Sequence, residues 1–151
     1  MGNQGKTQFT LLAISKLYNT RINLVGVNEN RQWIRPMPVY QSDLFSQGKK
    51  VFEVFSVTEM VLNDWWGAAP RAEDRFFVRN PQISPQKIKT LNDDEKAKLL
   101  RSIVDKSVDS IFSRGRTLGI IKASIKDVNF RRNLYNPTEY EARLVFEDPT
   151  G

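Results

Sequence analysis

Apolar and polar positions in the first forty residues follow the short periods of extended chain rather than the 3.6-residue period of a helix. Thr7-Gln8-Phe9-Thr10-Leu11-Leu12-Ala13-Ile14-Ser15-Lys16 has a continuous apolar centre and a short length, which suits a strand buried on both faces; a helical turn stays open there. Tyr18-Asn19-Thr20-Arg21 is polar and turn-like, and Ile22, Leu24 and Val25-Gly26-Val27 form a second β-rich run. Asn28-Glu29-Asn30-Arg31 reads as a hairpin connection, because Asn tolerates a positive φ. The return strand spans residues 32–39. Pro36 and Pro38 each lack an N–H, so this strand ends there or lies on an edge.

Residues 40–50 form a polar connector. Residues 51–62 are rich in β-branched and aromatic side chains on both faces, which predicts a central strand, bent midway if it serves two parts of a barrel. Residues 63–86 are irregular and hold Trp65-Trp66, three prolines and the charged run Arg71-Ala72-Glu73-Asp74-Arg75. A loop of that length is functional or draped over the core. The spacing then predicts one helix over 93–114. Asn92 and Glu95 are set for a capping box, Leu100, Ile103, Val104, Val108, Ile111 and Phe112 form an apolar stripe, and Gly115 stands at the C-terminal cap. Strands are expected over 118–128 and 140–147. Asp148-Pro149-Thr150-Gly151 has turn chemistry with no strand after it, which suggests that the natural chain continues.

The predicted fold class is therefore mainly β with one long α-helix. Strands, then a helix, then two more strands is the order of a small oligonucleotide/oligosaccharide-binding (OB-like) β-barrel, and a pseudouridine-synthase-like barrel shares that outline. The 151 residues fit a single module, or a barrel at 7–90 followed by a helix and the start of a second barrel.

Composition narrows the chemistry. With no histidine and no cysteine, serine–histidine and cysteine–histidine nucleophile pairs and the usual zinc sites are excluded. Cysteine-free composition sits best with a reducing cytoplasm, no run is long and apolar enough to span a membrane, and no secretory signal is visible. The net charge of +6 favours polyanions without requiring them. These features point to a non-catalytic binding module that needs no cofactor and no metal, with oligomeric state open.

Four groups of residues are candidates for contact with single-stranded DNA or RNA. Trp33 and Arg35 lie two apart on a strand and could combine base stacking with a phosphate contact. The alternative is a core Trp33, with Arg35 paired to Asp43 or Glu53. Lys16 and Arg21 flank the first turn, a recurrent ligand position in such barrels, or are merely solvated. Arg71, Arg75 and Phe76 mix basic and aromatic character, although Glu73 and Asp74 could neutralise those arginines. Lys122 and Lys126 could form a cationic row on a strand, or protect an exposed edge. Two other readings stay open. Trp65-Trp66 and the 63–86 segment could anchor a protein partner in a scaffold domain, and Glu73, Asp74 and Lys87 could resemble the metal cluster of a nuclease.

At Leu11-Leu12-Ala13-Ile14-Ser15-Lys16, Val25-Gly26-Val27 and above all Trp33-Ile34-Arg35-Pro36, the chain resembles the dual OB-containing domain family. The likeness continues loosely through residues 51–58, Glu73-Asp74-Arg75-Phe76 and Leu118-Gly119-Ile120-Ile121. In that family two barrels stand in tandem. The resemblance implies a fold and a nucleic-acid connection, and it implies no reaction.

Overall fold

The computed structural model describes residues 5–65 and 71–150 and is mainly β. In chain order the elements are β1 (Gly5–Tyr18), β2 (Arg21–Asn28), β3 (Trp33–Met37), β4 (Val39–Tyr40), a 3₁₀ turn (Gln41–Leu44), β5 (Phe45–Ser46) and β6 (Lys49–Lys50). They continue as β7 (Ser56–Asp64), β8 (Asp74–Phe77), β9 (Gln86–Thr90), α1 (Asp93–Ile103), β10 (Val104–Asp105), α2 (Val108–Phe112), β11 (Ile120–Ile121), β12 (Ser124–Arg132) and β13 (Tyr140–Glu147).

The main sheet closes on itself. β1 is long enough to pair antiparallel with two partners, β2 from Phe9 onward and β7 through Gly5 to Thr10. β2 continues to β3, β3 pairs in parallel with β8, and β8 returns antiparallel to β7, so five strands form a ring. β4 adds to β2, and β9 adds to β7. The two-residue side-chain period divides the apolar positions between two clusters. Phe9, Leu11, Ile22, Leu24, Met60 and Leu62 meet in the first, with Phe52 and Phe77 in edge contact at 6.2 Å. Val27, Trp33 and Val57 meet Leu91, Leu99 and Ile103 in the second, beneath α1. Each fully buried aliphatic or aromatic side chain contributes about 1.5–3 kcal/mol.

Gly26 lies opposite Leu11 in the β1–β2 ladder, beside its register shift. A Cβ there would sit 2.1 Å from the Thr10 carbonyl oxygen and 2.7 Å from the Phe9 ring, so only glycine allows the approach. At the β2–β3 turn Asn28 Oδ1 accepts from the N–H groups of Asn30 and Gln32, which holds Arg31 at φ 63°.

Several expectations need correction. The single helix over 93–114 is two short ones. Asn92 and Glu95 form the expected capping box, but α1 stops at Ile103. Val104 and Asp105 turn extended to pair in parallel with Ile120 and Ile121, and Ser107 caps a fresh helix through the Ser110 N–H. A β-branched residue, an aspartate and a serine all compete with helix in this stretch. Leu99, not Leu100, is the buried leucine, and Val104 and Phe112 are exposed. The strand expected from residue 51 begins at Ser56. Val51 and Phe52 are still core residues, but Phe55 takes a φ of 63° and ends the turn before β7. β8 and β9 emerge from or beside the segment read as irregular, and the 118–128 strand divides into β11 and β12. Among the described residues no helix is long and apolar enough to cross a membrane.

Candidate nucleic-acid interface

A cleft of about 410 Å³ opens between the start of β3, the loop before β8, the end of α1 with β10, and the loop after α2. Arg31, Arg75, Arg114 and Arg116 all line it, with Trp33 at its wall. Arg116 is neutralised by Asp105 and also donates to the Leu118 carbonyl. Arg75 spends its Nη1 donors on the carbonyls of Ala72 and Asp74, which fixes the guanidinium without cancelling its charge. Arg31 and Arg114 have no carboxylate partner among the described residues. Three arginines without an ion-pair partner among the described residues therefore share one concave surface with the Glu73 carboxylate, and low-dielectric walls strengthen their net pull on an anion.

Glu73 gives the cleft its floor. Its side chain is 1 % exposed, and one carboxylate oxygen accepts from the backbone N–H groups of Thr117 and Leu118, 2.8 Å for the latter. The other oxygen is enclosed with no hydrogen-bond partner among the described residues. Burial pushes the Glu73 carboxyl up, but the Thr117 and Leu118 hydrogen bonds outweigh it and the balance lies below the ordinary value. Glu73 thus ties the loop carrying Arg114 and Arg116 to the strand ring.

The residues proposed from sequence are placed as follows. Trp33 is 8 % exposed and packs in the second core cluster, so its ring face is closed to a base. Arg35 is 9 % exposed and pairs with Asp74, Nε to Oδ1 at 2.7 Å and Nη2 to Oδ1 at 2.5 Å. The bland alternative therefore describes this pair, except that the carboxylate is Asp74. Asp43 instead holds Arg79 at 2.6 Å, and Glu53 holds Lys87 at 2.5 Å. Arg75 lines the cleft. Arg71 is exposed, and its backbone N–H donates to Asp74. Phe76 is half-buried with its ring 6.3 Å from Trp65. Lys16 and Arg21 are exposed at the β1–β2 turn, and Lys122 and Lys126 lie toward the β12–β13 hairpin; none of these four lines the cleft. Lys122 precedes β12, while Lys126 sits at a bulge and pairs with Glu147 at 2.9 Å, so the expected cationic row does not form.

The other two readings fare as follows. Trp65 is half-buried and its indole Nε1 has no hydrogen-bond partner among the described residues, while Trp66 lies outside them. Glu73, Asp74 and Lys87 do not gather: Glu73 holds a loop backbone, Asp74 holds Arg35 and Lys87 holds Glu53. Among the described residues no group of three or more acidic side chains is placed to hold a metal ion.

Sequence reasoning missed Arg31, Arg114 and Arg116. Arg31 looked like one residue of a turn, and the other two flank Gly115, where the end of a long helix was expected. The available signal was the cluster Arg114-Gly115-Arg116 beside a glycine at φ 71°. Comparison with known proteins produced no match to the chain from a protein-family model, a curated protein or a solved structure.

Proposed function

We propose that the chain is a non-catalytic, OB-like module that holds the backbone of single-stranded nucleic acid in the arginine-lined cleft. The observation that carries this reading is the convergence of Arg31, Arg75 and Arg114, from three separate parts of the chain, on one cleft without paired carboxylates. A cavity of this size accepts a nucleotide-sized group. A flexible strand can feed such a group into it, whereas a duplex would touch only the rim. Guanidinium groups suit phosphate because they bind it in a planar, two-pronged manner. The closed ring of strands, the net charge of +6 and the resemblance to dual OB-containing domains support the same reading.

The test is fluorescence anisotropy with labelled single-stranded DNA and RNA across a salt series. Three phosphate contacts give an affinity that falls with salt at a log–log slope of about −2. Arg31→Ala, Arg75→Ala and Arg114→Ala each reduce that slope by about 0.7. No binding at low salt, or binding indifferent to all three substitutions, sinks the proposal.

A further inference from the structure

β12 and β13 form a two-stranded antiparallel sheet that pairs with no other strand among the described residues. Residues directly opposite in such a pair share a face. Ile125 faces Phe146, Val128 faces Leu144, Phe130 faces Ala142 and Arg132 faces Tyr140. The register shifts between Ile125 and Asp127, and this bulge has a definite effect. Ile125 and Val128 are three residues apart and would otherwise point to opposite sides. With Lys126 as the extra residue, both join the same side. One face is therefore apolar along its length, with Arg132 at one end as its single charge. The opposite face carries Asp127, Asn129, Arg131, Glu141 and Arg143 with a lone apolar Val145, and Arg131 and Glu141 pair at 3.2 Å. The polar face is suited to water. The apolar face is open: Phe130 is 74 % exposed, Tyr140 68 % and Ile125 61 %.

An isolated two-stranded hairpin is marginal in water, and an open apolar face of this kind marks a contact surface. We infer that this face is the contact between two copies of the chain. The six large apolar side chains on it leave on the order of 600 Å² uncovered, so two copies packed face to face remove roughly 1,200 Å², the lower bound of a specific interface. A two-fold contact brings identical surfaces together, which requires a face without net repulsion at its centre. The centre here is Val128, Phe130, Ala142 and Leu144, with no charge among them. A nucleic acid is a poorer occupant. Across residues 122–148 the five basic side chains are matched by five acidic ones, so this segment carries no net positive charge to draw a polyanion.

Sedimentation equilibrium across a concentration series tests the inference. The chain is expected to dimerise, and Phe130→Lys and Leu144→Lys are expected to shift it to monomer at concentrations where the parent is dimeric. Both residues lie outside the ring core, so the thermal transition of the ring, followed by near-UV circular dichroism, should be unchanged. Because the chain has no cysteine, Val128→Cys supplies an independent readout: mild oxidation should link two copies through identical positions. A parent that stays monomeric throughout the series overturns the inference. So does a dimer that survives both lysine substitutions and fails to cross-link at position 128.

Discussion

Arg31 lines the cleft from a φ of 63°, a region that an L-residue enters at a cost and glycine enters freely. The Asn28 side chain imposes that geometry on the turn, and turn geometry alone would favour glycine at position 31. Retaining arginine there is explained if its charge serves the cleft. Arg31→Gly should therefore raise stability by about 0.5–1 kcal/mol, read as a higher denaturant midpoint at unchanged slope, while weakening single-strand binding. Glu73 has the opposite character, since its carboxylate stabilises the loop it holds. Its carboxyl is held below the ordinary value, so in mild acid the unfolded chain binds the proton more readily than the native one. The Glu73 contribution is then complete above about pH 4.3 and is lost as pH falls through the lower native value. Glu73→Gln should cost about 1.5–3 kcal/mol near neutral pH. It should also flatten the acid limb of the stability–pH curve measured by urea unfolding; an unchanged limb would assign the acid response to other carboxylates.

At the level of elements, local signals were legible and non-local ones were not. The Asn92–Glu95 cap, the turn at Asn28 and β13 at Tyr140–Glu147 all follow from residues within a few positions of one another. β8 could not be read that way. It is four residues long, and it exists because it pairs in parallel with β3, about forty positions earlier. β9 has one apolar residue, Ile88, and is exposed throughout, so no alternation announces it. The long helix failed for a related reason. An apolar stripe continued past Ile103, but the pairing of Val104-Asp105 with Ile120-Ile121 outcompeted it. The β1–β2 pairing at Gly26 offers the sharpest test of element packing. Gly26→Ala places a methyl group against the Thr10 carbonyl, which is backbone in a paired strand and cannot rotate away. We expect a loss of about 3 kcal/mol or more by chemical denaturation, well beyond the usual cost of adding a methyl group in a strand. A loss below about 1 kcal/mol would mean that the two strands separate more easily than this geometry allows.

For the whole molecule, the candidate site was only partly legible. Arg75 and Trp33 could be singled out from sequence, but their roles differ: one is a charge held by carbonyls, the other a wall. Arg35 was recognisable as important, yet its partner Asp74 lies 39 residues away, and only the tertiary pairing of β3 with β8 identifies it. Basic residues do not converge as a class. Lys16, Arg21, Lys122 and Lys126 are distributed away from the cleft, so net charge was a guide to the kind of partner and not to its place.

The ring is joined where the first described residues of β1 meet the far end of β7, with Gly5 opposite Leu62. That seam brings together positions 57 apart in sequence and cannot form until β7 has been synthesised. Until then the nascent chain presents Phe9 on a stretch of strand lacking one neighbour. Topology of this kind places the molecule among slow folders whose rate is governed by a late, long-range closure. Its vulnerability to aggregation is accordingly concentrated in the interval before β7 and β8 are both in place to complete the ring.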